Sequence, residues 1–146
     1  MRLKVISAMA LAGLLTMSLL GSVTATHWTS VELVAGNPSC DGGFKYENPL
    51  GGDIVDGTLA LPGGASIAID VRNTSSGPVF DFVATGFVVS QVTVKGGPNA
   101  NIFLYEPPTG SDSGLHSPTN LSSGKYYGLS HLCFFGDDKK TPDPKK

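Results

Sequence analysis

The chain has 146 residues, with ten Lys and Arg against 12 Asp and Glu, 19 glycines, ten prolines, two cysteines and a formal net charge of −2. The only basic clusters, Lys139-Lys140 and Lys145-Lys146, are diluted by Asp137, Asp138 and Asp143, which argues against DNA or RNA as partner, because neutralising phosphates needs clustered Lys and Arg. The length suits one domain.

The first 25 residues place Arg2 and Lys4 ahead of an uncharged, mostly apolar run from Val5 to Leu20, followed by small residues up to Ala25. That layout predicts a secretory signal over 1–25, cleaved after Ala25. The apolar run of about 16 residues is too short for a stable membrane span of ~20, and no later segment is longer. Losing Arg2 and Lys4 would leave a mature charge of about −4.

Beyond the leader no sustained helical spacing of apolar residues occurs, while short alternating runs recur between turn residues. In chain order they are Val31 to Ala35, Ile54 to Leu61, Ala65 to Arg72, Val79 to Ala84, Phe87 to Lys95, Asn101 to Tyr105 and Leu129 to Phe135. The clearest puts Ala65, Ile67, Ile69 and Val71 on one face and Ser66, Asp70 and Arg72 on the other, as a half-buried strand does. Pro62-Gly63-Gly64, Asn73 to Pro78 and Gly96-Gly97-Pro98-Asn99 break the chain where the pattern stops. About seven short strands in one domain, residues 26–135, predict an all-β, two-layer β-sandwich with a long loop before the last strand. Residues 136–146 are polar and charged and are expected to form a disordered tail.

Cys40 and Cys133 are the only two cysteines, and in an exported chain they are expected to form one disulfide joining the start of the domain to its end. Two separate buried thiols are the alternative. Between the last two expected strands lie residues 106–128, rich in Gly, Pro, Ser, Thr, Asp and Asn. A connection of that length is often functional, and its other reading is a packed Ω-type loop or a concealed short hairpin closed by Ser123-Gly124-Lys125-Tyr126. The loop is expected to carry an interaction surface, anchored by Leu115, Tyr126 and Tyr127, with Ser111 to His116 replaceable without loss of fold.

Four stretches run through this region: Lys95 to Asn101 (KGGPNAN), Tyr105-Glu106-Pro107-Pro108, Ser111 to Pro118 (SDSGLHSP) and Gly124 to His131 (GKYYGLSH). Together they resemble a β-rich module of secreted and cell-surface proteins, mostly bacterial, over about a third of the mature chain. The resemblance implies an extracellular domain with a cysteine near each end and no established catalytic residues. In that module the late cysteine sits four residues after the SH histidine; here Cys133 is two after His131, which keeps it on the same strand face.

His116, His131 and Asp112 are residue types that ligate metals, and they offer a second reading as a secreted hydrolase or metal-dependent enzyme. Ser111 or Ser113 with His116 and Asp112 contains the elements of a nucleophilic triad, but no G-x-S-x-G turn holds the serine. Glu106 and Asp112 are a generic carboxylate pair. Asp41, Asp53 and Asp56 lack any EF-hand pattern and read as solvated turn residues. Tyr105, Tyr126, Tyr127 and Trp28 have flat amphipathic faces suited to sugars or proteins, or to ordinary packing. Asn73-Thr74-Ser75 and Asn120-Leu121-Ser122 match the N-glycosylation pattern, which matters only in a eukaryotic secretory pathway, whereas the leader looks bacterial.

The expectation is therefore a secreted or cell-surface, non-catalytic module for adhesion or binding, with no cofactor and no metal. Its expected contact residues are Tyr105, Asp112, His116, Tyr126, Tyr127 and His131, and its expected partner is an extracellular protein or glycan. A structural surface or matrix component is the further alternative.

Overall fold

The computed structural model describes residues 27–139; the expected leader and residues 140–146 lie outside them. Eleven strands form among the described residues: β1 (Ser30–Ala35), β2 (Phe44–Glu47), β3 (Gly57–Ala60), β4 (Ser66–Thr74), β5 (Gly77–Thr85), β6 (Phe87–Gly96), β7 (Asn99–Thr109), β8 (Ser111–Leu115), β9 (Thr119–Asn120), β10 (Lys125–Tyr126) and β11 (His131–Asp138). A five-stranded sheet, ordered β1-β7-β6-β11-β2, faces a four-stranded sheet, ordered β3-β4-β5-β8, and β9 pairs β10 in a separate hairpin. Every pairing is antiparallel. The domain is an all-β sandwich, as the alternating pattern predicts.

The layers join because each sheet presents one apolar face. Ile67, Ile69, Phe80, Phe82 and Leu115 of the smaller sheet share a buried cluster with Val89, Val92, Val94, Phe103, Leu132 and Phe134 of the larger. Phe82 meets Phe134 edge to face at 5.5 Å and Tyr105 at 6.0 Å. Burying each such side chain contributes roughly 1.5–3 kcal/mol. Ala65, Ile67 and Ile69 are buried as their alternation predicts.

Along β6 the buried set changes parity, from Phe87 and Val89 to Val92 and Val94, and its registers with both β7 and β11 shift near Val89 and Phe135. Such irregularities bend a strand and re-aim its side chains. On β7, Leu104 and Thr109 pair with Gln91 and Val89, so residues 105–108, including the cis Glu106-Pro107 bond, bow out of the ladder. That bow carries Tyr105 towards β8.

Several strand limits differ from the sequence expectation. Two strands of the sandwich, β2 and β8, fall outside the expected seven, and β8 and the β9–β10 hairpin lie inside the expected loop of residues 106–128. The run from Ile54 to Leu61 yields only β3, with Ile54 buried as a loop residue whose N–H donates to Leu129 O at 2.9 Å. β11 continues to Asp138, paired with β6, three residues into the expected disordered tail. Cys40 and Cys133 form the expected disulfide across a separation of 93 residues. No helix among the described residues is long and apolar enough to cross a membrane.

Candidate functional site

The larger sheet overhangs the smaller at β1, where Val31 and Leu33 point to the same side as buried Phe103 yet stay 47% and 64% exposed. Residues 116–121 form the opposite wall. Between them lies an open cleft of about 410 Å³, lined by Val31, Leu33, Asn99, Asn101, His116, Pro118, Thr119 and Leu121. Its lining is apolar at Val31, Leu33, Pro118 and Leu121, carries amide, hydroxyl and imidazole groups, and includes no Lys, Arg, Asp or Glu.

His116 is held from several directions. Its ring stacks on Tyr126 at 3.8 Å with an 11° interplanar angle, and meets the edges of Phe103 at 5.8 Å and Trp28 at 6.4 Å. Its Nδ1–H donates to Ser117 O at 2.8 Å. Asn101 Nδ2 donates to His116 O at 3.1 Å. A side chain so fixed loses little rotamer freedom on contact, which favours recognition.

The hairpin wall is anchored by its two tyrosines. Tyr126 N–H donates to Ser76 O at 2.7 Å, and Tyr127 N–H to Pro118 O at 3.1 Å. Tyr127 lies against Gly97, where φ is 63° and any Cβ would come within 2.6 Å of the ring, so glycine is required there twice over. Ser117 Oγ donates to Tyr127 O at 2.5 Å. Leu121, at the tip, is 94% exposed.

Tyr105 and Asp112 are buried and bonded to each other rather than lining the cleft. Asp112 is buried; its Oδ2 accepts from Tyr105 Oη at 2.7 Å, and its Oδ1 accepts from Ser113 N–H at 2.8 Å and lies 2.9 Å from His27 Nδ1. Burial pushes the Tyr105 phenol far up, and the hydrogen bond to Asp112 and its charge push further the same way. Tyr105 is thus a fixed neutral donor, and both Asp112 oxygens are occupied in pinning β8 and the N-terminal segment to β7. With Asp112 and His116 engaged in this way, the triad arrangement with Ser111 or Ser113 does not form.

His131 stands apart. It alternates with core residue Leu132, so it faces outward from the larger sheet, opposite Glu47 on β2 and Lys95 on β6. The expected trio of His116, His131 and Asp112 is therefore divided between two sides of one sheet, and the described residues contain no group of three or more His, Cys, Asp or Glu placed to hold a metal ion. Burial, then Lys45, lowers the His131 pKa below 6.5; Lys95 acts likewise and Glu47 opposes. The unfolded chain therefore binds more protons, so His131 costs stability as pH falls through 6.5, a loss complete below its folded pKa. Urea unfolding at about pH 5 and about pH 8 should show this, with a smaller difference in His131→Gln; an unchanged difference would refute the assignment.

The sequence brought out His116, Tyr126 and Tyr127 but not the opposite wall. Val31 and Leu33 read as ordinary strand residues, and nothing in a linear pattern tells that β1 overhangs its partner sheet. Asn99 and Asn101 lie in the KGGPNAN stretch, a signal for position but not for facing. No protein-family model, curated protein or solved structure matches the chain.

Proposed function

We propose that this protein is a secreted or cell-surface, non-catalytic β-sandwich module that binds an extracellular protein or glycan through the cleft between β1 and residues 116–121. The observation that carries the reading is the cleft itself, which combines exposed apolar side chains with fixed hydrogen-bonding groups and is lined by no Lys, Arg, Asp or Glu, as suits uncharged ligands. The disulfide supports an oxidising compartment. Recognition is concentrated in residues 116–121 with β1, a narrower surface than the whole 106–128 segment, because residues 111–115 are held in a sheet.

Leu121→Ser tests it. Leu121 is 94% exposed and outside the core, so stability should change by less than ~0.5 kcal/mol. Screened on arrays of glycans and extracellular-matrix proteins, the wild type should show a hit that Leu121→Ser weakens about tenfold. Leu104→Ser, on the outer face of β7, should bind normally. Equal loss in both variants, or in neither, would contradict the cleft as the site.

A further inference from the structure

We infer that β1 is a self-association edge, where a second copy of this chain pairs β1 to β1, antiparallel, and joins two five-stranded sheets into one. The other sheet edges are blunted. β2 and β3 have four residues each, β2 carries outward Lys45 and Glu47, and β8 has a register shift and Gly114 at φ 76°. By contrast β1 has six residues, an unshifted register with β7, and no Lys, Pro or bulge. Its inward side chains, Val31, Leu33 and Ala35, carry no charge. Folded proteins ordinarily defend such an edge against a strand partner.

The backbone of β1 is arranged for the same contact. Gly36 N–H donates to Pro98 O at 3.1 Å, which in an antiparallel ladder gives Val34 and Glu32 the bonds to β7 and turns the N–H and C=O of Val31, Leu33 and Ala35 outward. These odd-numbered residues therefore bring to the edge both exposed apolar side chains and backbone groups turned away from β7, their strand partner among the described residues.

Charge selects the register. Pairing centred on Glu32 would set two carboxylates directly opposite each other, which is unfavourable. Pairing centred on Leu33 places Leu33 opposite its copy, Val31 opposite Ala35, and Glu32 opposite Val34 on the outer face. The two clefts then lie side by side about the two-fold axis, their apolar floors continuous. The pairing needs no ligand and can fail or hold independently of cleft recognition.

Sedimentation velocity of the mature chain over a wide concentration range decides the matter, with circular dichroism verifying that each variant is folded. The wild type should dimerise reversibly. Leu33→Lys, which sets two like charges face to face at the axis, should weaken the dimer at least about thirtyfold. Val34→Lys should tighten it roughly two- to thirtyfold, because each new ammonium lies opposite the copy's Glu32. A wild type monomeric at every concentration, a dimer indifferent to Leu33→Lys, or a dimer weakened by Val34→Lys overturns the inference.

Discussion

Replacing Ser111–Leu115 and His116 with a Gly-Ser linker is expected to abolish cooperative folding, the reverse of what a solvent-exposed loop would show. The segment is β8, paired with β5 at Phe80, Phe82 and Val83. Leu115 is fully buried in the core cluster, and removing such a side chain costs about 2–5 kcal/mol. Loss of Asp112 leaves the buried Tyr105 hydroxyl without its acceptor, at about 1–3 kcal/mol. Gly114 N–H also loses its bond with Asp81, at 2.9 Å. Together these approach the whole net stability of a domain, about 5–15 kcal/mol. Denaturant unfolding followed by circular dichroism should show a broad, early or absent transition; a sharp one near the wild-type midpoint would return residues 111–116 to the status of a dispensable loop.

Removing the disulfide should have the next largest effect. It ties the segment before β2 to β11, the strand beside the β2 edge of the larger sheet, and closes a loop with a separation of 93 residues. The chain-entropy model gives a ceiling of about 4–5 kcal/mol for so long a loop, and measured losses fall at about 2–5 kcal/mol. The double variant C40A/C133A should therefore unfold at markedly lower denaturant, with its mature N-terminal region the first to become protease-sensitive. Unchanged stability would mean that the β2 edge holds by its ladder alone.

Strands that bury aliphatic or aromatic residues on one side were legible, as Ala65 to Arg72 and Phe87 to Lys95 demonstrate. β8 was not, because Ser-Asp-Ser-Gly-Leu contains no β-branched or aromatic residue. Its place is secured by its ladder with β5, by Asp112 reaching Tyr105, by Gly114 N–H on Asp81 and by buried Leu115, a pattern that periodicity does not report. β2 is four residues long behind Gly42-Gly43, too short for alternation to stand out, although Phe44 and Tyr46 do pack on the core. β7 runs on through Pro107-Pro108, where proline ordinarily ends a strand, because the ladder resumes at Thr109 opposite Val89. The cleft was half legible: residues 116–121 sit in the distinctive stretch, but their apposition to Val31 and Leu33 is a property of sheet overhang. His131 shared the same stretch and yet lies on the other face, since strand alternation carries it away from Leu132.

The division of residues 106–128 into a core strand and a presented rim is open to a direct measurement that needs no ligand. In native-state hydrogen exchange, the slowest amides of β8 should exchange only with global unfolding, while those of residues 121–124 at the hairpin tip exchange orders of magnitude faster, as exposed turns do. If the β8 amides exchange as fast as the tip, the segment is one loose loop and the cleft has no fixed wall.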